Sequence, residues 1–273
     1  MAASNSSIKL DEIGAWSEIK LEIIHKYAKA YSIILNKQGF IHAYIDGFSG
    51  AGIHVSRATG GTVPGSPTIA LEIQPPFSEY HFVDLNKKKI DHLRSCVTEQ
   101  ENVFTYHKDC NKVLVETIFP RIKFEERRRA LCLLDPYGLH LSWEAIRLAG
   151  QMRTIELFIN FPVVDINRNV LWKNPEGVSP ADIARMNFFW GDESWRDVAY
   201  RSEGDLFGFS HKTDNEAISE GFRQRLLNVA GFKHVPKPIP MRNKFKAIVY
   251  YLFFASPNET ANKIVTDIFK KYR

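Results

Sequence analysis

Apolar residues first recur at helical spacing. Trp16, Ile19, Ile23, Tyr27, Tyr31 and Ile34 stand three or four positions apart, and Gly39 follows as a stop signal. A helix is therefore expected over 16–35. The pattern then shifts to short apolar runs. FIHAYID (40–46) reads as a strand, and a loop rich in Gly, Thr and Ser follows from 50 to 65. GSPTIALEI opens a second helix, with Ser66 placed as N-cap and Pro67 as the first helical residue. EYHFVD (79–84) is the next strand, NKKKIDHLRSCV a surface helix, VFTYHKD (103–109) a third strand, and NKVLVETIFPRI a helix broken near Pro120. The apolar run from Ala130 to Leu134 suits a strand buried on both faces of a parallel sheet. WEAIRLAGQM reads as helix and TIELFINFP as strand.

Strands alternating with helices are the order of an α/β fold with a parallel sheet. The tail from 231 differs. It reads as two strands joined by a basic turn and then a last helix, which predicts a closing antiparallel hairpin. Between them, about 163–219 is polar and aromatic with helical fragments, read as an insertion near the sheet's C-terminal edge. The expected organisation is a single domain over 1–273, with an N-terminal helical segment over 8–38.

Composition narrows the class. The chain has 273 residues, 44% hydrophobic and 25% charged, enough for one large core. A net charge of +5 permits an anionic partner without requiring one. Cys96, Cys110 and Cys132 form no CxxC pair and fit neither a zinc site nor a disulfide framework, so reduced thiols and no metal are expected. The longest apolar run, IVYYLFFA (248–255), is too short to cross a bilayer. MAASNSSIKLDEI lacks the apolar core of a secretory signal, and a cytoplasmic location is expected.

Candidate chemistry lies at the strand ends. Asp46, Asp84, Asp109 and Asp135 each close an expected strand. One such Asp is ordinarily a helix N-cap. Four in succession, the first followed by a glycine-rich turn, favour a ligand site, because α/β sheets bind ligands outside the carboxyl ends of their strands. In YIDGFSGAG, Gly50 and Gly52 allow a sharp turn and a close backbone approach, with Gly47, Phe48 and Ser49 between the acid and the glycines. Asp84 is placed to accept from ribose hydroxyls and Asp109 from an adenine amino group. Dinucleotides and S-adenosylmethionine (SAM) both meet these conditions. The turn is not GxGxxG, and Asp46 would repel a diphosphate but welcome an ammonium and a sulfonium, which favours SAM. Leu85, Cys110 and Ser66 complete the expected cofactor-binding set. On the acceptor side, LLDPYG offers the Asp135 carboxylate, the Pro136 carbonyl and the Tyr137 ring, which can hold and stack an amino-bearing base. Those three form the expected catalytic set.

Other candidates are weighed less. Lys20 and His25 read as a solvated helix face, and FEERRR (124–129) as a surface loop. Trp172, Trp190 and Trp195, with Arg168 and Arg185, suit nucleic-acid contact and a small subdomain core equally.

YIDGFSGAG, GSPTIALEI, LLDPYGL, INFP and PMRNKFKAIVYYLFFAS, with the opening WSEIKLEIIHKYAKAY, together resemble the bacterial three-Cys-motif partner protein family. The match extends through most of the chain. The resemblance implies a class I SAM-dependent methyltransferase with a Rossmann-like, seven-stranded, mostly parallel sheet and a reversed last strand. The family's name refers to a neighbouring three-Cys-motif protein, not to the cysteines here. DPYG also resembles the DPPY motif of amino-directed nucleic-acid methyltransferases, with Gly138 in the aromatic position. The expectation is methyl transfer to an amino group of a nucleic-acid base. Its implied partners are SAM, S-adenosylhomocysteine (SAH), DNA or RNA, and a three-Cys-motif protein. The rivals are a non-catalytic SAM-binding module working through a protein partner and an NAD-dependent enzyme.

Overall fold

The computed structural model describes residues 8–97, 100–201 and 211–273. Its main sheet has seven strands: β1 (Ile41–Asp46), β2 (Glu79–Asp84), β3 (Val103–His107), β4 (Arg128–Leu134), β5 (Ile155–Phe161), β6 (Ile239–Arg242) and β7 (Ile248–Ala255). Their spatial order is β6-β7-β5-β4-β1-β2-β3. β7 runs antiparallel to both neighbours, and every other pairing is parallel. The α/β architecture and the reversed last strand are thus as the residue pattern predicts. From β1 the chain builds outward to β2 and β3, then returns to place β4 on the other side. The loops after β1 and β4 therefore diverge and leave a crevice at their carboxyl ends.

The connections hold α1 (Ala15–Lys37), α2 (Ser66–Leu71), α3 (Lys87–Cys96), α4 (Cys110–Val113), α5 (Trp143–Met152), α6 (Val163–Asn169), α7 (Pro180–Trp190), α8 (Trp195–Ala199), α9 (Asn215–Asn228) and α10 (Glu259–Lys270). Strand alternation sorts the core into two layers. Ala130, Cys132 and Leu134 of β4 face a cluster with Ile146 of α5 and Phe222 of α9. Leu131 and Leu133 face the other cluster, with Tyr27 of α1, Leu93 of α3 and Val265 of α10.

Two local expectations change. Helix α2 is capped by Gly65, one residue earlier than expected, with no side-chain cap. A Cβ at Gly65 would lie 2.8 Å from the Gly52 carbonyl, so two turns meet there and only glycine fits. The loop expected after β1 contains a hairpin, Ile53–Ser56 with Thr62–Pro64. Glu12–Ile13 adds to it in parallel, which lays the N-terminal segment over the crevice. The segment after β5 packs its aromatic residues onto one face of the sheet. Phe189 and Phe222 stack at 5.4 Å, and Phe222 meets Phe253 of β7 at 5.2 Å. No described helix is long and apolar enough to cross a membrane.

Candidate functional site

Two adjoining cavities open at the carboxyl ends of β1, β2 and β4. The first, about 480 Å³, is bounded by Gly47, Asp84, Leu85, Asp109 and Cys110, with Arg185 and Phe188 of α7 at its mouth. The second, about 330 Å³, lies under the N-terminal segment and is bounded by Ser49, Gly50, Ser66, Asp135, Pro136 and Asn160. Phe48 and Tyr137 line both, so the two chambers form one divided crevice.

The turn after β1 is clamped from both sides. Gly47 N–H donates to the Leu133 carbonyl at 3.0 Å and Ser49 N–H to the Val83 carbonyl at 2.9 Å. Gly50 has φ +63° and donates its N–H to Asp84 Oδ2 at 2.9 Å. That conformation favours glycine. Gly52 lines neither chamber; a Cβ there would stand 2.9 Å from Leu93, so its role is close packing on α3.

Asp46 is also elsewhere than expected. It is 0% exposed and sits beneath the turn, accepting from Phe48 N–H at 3.0 Å and Ser66 Oγ at 2.5 Å. Burial pushes its pKa up to about 7 against the pull of those two bonds. It shares the strand face of Tyr44, which points toward α1 and α2, so it braces the turn rather than facing an ammonium. Asp84 does end β2 and faces the first chamber, with Oδ1 accepting from Asn86 N–H at 2.7 Å. Asp109 lies two residues past β3 and caps α4, accepting from Asn111 N–H at 2.9 Å, while still lining the chamber. Burial, then the Asp109 charge, raises the Cys110 pKa and keeps its thiol protonated at neutral pH.

Asp135 follows the last residue of β4. Lys20 of α1 donates to its Oδ2, and Asn160 of β5 donates Nδ2–H to its Oδ1 at 2.7 Å. Lys20 is therefore not a solvated residue: it is 6% exposed, on the same helix face as Ile24, Tyr27 and Tyr31. Burial disfavours its charge, but the Asp135 carboxylate outweighs that and raises its pKa. His25 does face solvent. Burial pushes the nearby Tyr250 hydroxyl up to about 12, against the Lys20 charge.

Tyr137 stands at the divide. It is 64% exposed, and its hydroxyl donates to Asp11 Oδ2 at 3.0 Å. Lys89 of α3 donates to the same oxygen at 2.5 Å, tying the N-terminal segment across the crevice. Gly138 has φ +70°, and a Cβ there would lie 2.9 Å from Asp165 Oδ2. Asp165 meets Arg185 at 2.8 Å, so this ion pair fills the space an aromatic ring would need. Trp190 and Trp195 are core residues, while Trp172 is exposed and donates to the Arg168 carbonyl. Among the described residues, no group of three His, Cys, Asp or Glu is placed to hold a metal.

No family model matches the chain, and no curated protein sequence is found similar to it. Solved structures do match. Protein LPL1258 from Legionella pneumophila str. Philadelphia 1 is 13% identical over 92% of this chain and 90% of that one, with a TM-score of 0.57. N-methyltransferase NodS from Bradyrhizobium japonicum WM9, in complex with SAH, is 8% identical over 90% and 89%, with a TM-score of 0.44. The chain shares its Rossmann-like α/β fold with protein LPL1258. At these identities the likeness concerns the fold alone. The site's chemistry rests on its own residues, of which Asn160 and Asp11 are not singled out by sequence and Lys20 is read there as a solvated helix face. A signal existed for Lys20: it precedes Ile24, Tyr27 and Tyr31 at i, i+4, i+7 and i+11.

Proposed function

We propose that this chain is a SAM-dependent methyltransferase of the three-Cys-motif partner kind, acting on an amino group of a nucleic-acid base. The observation that carries the reading is the divided crevice at the reversal of strand order, with Asp84 in one chamber and Asp135 and Pro136 in the other.

The first chamber fits an adenosine. Its volume is in the range of small-ligand pockets. Asp84 offers a carboxylate to two hydroxyls beside bare glycine backbone, and Leu85 and Leu139 offer apolar walls to a flat ring. Asp109 and Asn111 supply polar atoms for an amino edge. Toward the second chamber, the hydroxyls of Ser49 and Ser66 and the N–H groups of Ser49 and Gly50 already donate within the protein, which leaves oxygen lone pairs for the ammonium of an amino-acid tail. SAM, when bound, supplies a methyl group already activated by its sulfonium.

The chain must then align the acceptor nitrogen and tolerate the charge it gains. Asp135 and the Pro136 carbonyl are hydrogen-bond acceptors on one wall, suited to an amino group. As the nitrogen becomes cationic, the Asp135 carboxylate stabilises it. Each carboxylate oxygen has a second lone-pair direction, so the bonds from Lys20 and Asn160 fix Asp135 without exhausting it. The +5 net charge suits a polyanionic substrate.

Calorimetry with SAM and SAH is the first test, followed by radiolabelled transfer to DNA, RNA and protein extracts with and without a three-Cys-motif protein. SAM binding and label in nucleic acid are expected. Absence of SAM binding removes the reading, NAD binding in its place selects a dinucleotide enzyme, and label in protein alone moves the acceptor. SAM binding without any transfer selects the non-catalytic module.

A further inference from the structure

We infer that the second chamber reads the Watson–Crick NH2–C=N edge shared by adenine and cytosine, and that Asn160 sets this preference. The inference rests on the methyl transfer proposed above and narrows its acceptor.

Asn160 is 8% exposed and lies on the β5 face that looks toward α1. Its Nδ2 donates to Asp135 Oδ1 at 2.7 Å. An ionised carboxylate only accepts, so the amide cannot be turned round: nitrogen faces Asp135, and Oδ1 faces away. That Oδ1 is buried and has no partner among the described residues. Buried acceptors are ordinarily satisfied, so one left open on a cavity wall marks where a ligand donor fits. Asp135 adds a second acceptor beside it. Lys20 adds a donor of the opposite kind. Its ammonium carries three N–H groups, and Asp135 is its one hydrogen-bond partner among the described residues.

The wall therefore presents two acceptors and a cationic donor. Its complement is an amino group with two hydrogens next to a bare ring nitrogen. Adenine and cytosine have that edge. On its Watson–Crick side guanine places N1–H beside its amino group, its bare N3 lying against the sugar, and uracil and thymine carry no amino group at all. A side-chain amide of Asn or Gln has a similar polar edge but no ring. Trp16 and Tyr250 line the same chamber, and aromatic walls suit a stacked planar base over a peptide amide.

The test uses matched nucleosides that differ only at this edge. Cytidine and uridine, then adenosine and inosine, are titrated into SAH-saturated protein and followed by calorimetry or NMR. The amino member of each pair should bind about tenfold tighter. Asn160→Leu should shrink that preference to about threefold or less, with SAH affinity within about threefold of wild type. Asn160→Ala removes the same acceptor without adding apolar bulk and should shrink the preference likewise, which covers the case in which the leucine variant fails to fold. In parallel, oligonucleotides labelled by the wild type are digested to nucleosides, with label expected in methylated adenine or cytosine. Equal binding within the pairs, or label in guanine, uracil or a peptide glutamine, overturns the inference while methyl transfer stands. Clear discrimination with no transfer to any acceptor upholds the edge reading and removes the proposed activity.

Discussion

Lys20 joins the packing of α1 to the charge balance of the second chamber. Lys20→Met keeps an apolar stem of similar length but leaves Asp135 with Asn160 alone. Removing one partner of a fully buried pair costs about 3–5 kcal/mol. The Asp135 side chain is 30% exposed, so water offsets part of the loss and about 1–3 kcal/mol is expected from urea unfolding. Adding Asp135→Asn should recover most of it; an unchanged midpoint in Lys20→Met would show the pair contributes nothing. Gly138 makes a second residue-scale case. Gly138→Ala forces a side chain into φ +70°, at about 1–2 kcal/mol, and brings its Cβ against Asp165. Thermal unfolding should show the loss, and wild-type stability in the variant would remove the account of why glycine replaces an aromatic here. Acids at strand ends are legible because strand boundaries are. Which group already occupies each acid is not, since Ser66 reaches Asp46 and Lys20 reaches Asp135 from distant elements.

At the scale of elements, periodicity places helix α1 and strands β1 to β5 to within two residues at each end, because each has one or two buried faces, whereas the tail strands are expected without bounds. The hairpin Ile53–Ser56 with Thr62–Pro64 was hidden by its Gly, Thr and Ser content. Its parallel partner, Glu12–Ile13, stands 43 positions away at each paired residue. That small sheet has a mechanical consequence. Asp11 is held over the crevice by Lys89 and Tyr137, and its carboxyl lies below the usual range: burial opposes this, but the Lys89 hydrogen bond and charge outweigh it. Asp11→Ala should release the segment. If SAH occupies the crevice beneath it, stopped-flow dissociation should quicken by roughly two- to fivefold, the scale of a partly exposed ion pair. High salt should have the same effect on wild type and little on the variant. Identical dissociation rates in the two proteins would mean the segment does not gate the crevice.

Across the whole molecule, two buried carboxyl sites lie at opposite ends of the sheet face that α1 covers. The crevice lies at the carboxyl ends of β1 and β4. Glu156 lies near the start of β5, bonded by the Tyr27 hydroxyl and by Ser256 Oγ at 3.1 Å. Alternating strands and helices predict the sheet that carries both, but an acid inside TIELFINFP gives no sign of its depth, because depth depends on α1 crossing above it. Burial pushes the Glu156 pKa up to about 7, against the two hydrogen bonds. An unfolded glutamate titrates near ~4.3. Between those values the folded protein retains a proton that the unfolded chain has released. Stability from this group is therefore complete below about pH 4.3, falls as pH rises, and is lost above about pH 7. One such proton contributes a slope of at most about 1.4 kcal/mol per pH unit. Glu156→Gln keeps the shape and removes the titration. Urea unfolding between about pH 5 and 8 should give a flatter dependence for the variant, which gains on wild type as pH rises. Asp46 is shifted in the same direction, so the variant's dependence should weaken rather than vanish. Parallel curves for the two proteins would mean that Glu156 holds its proton equally in the folded and unfolded chain.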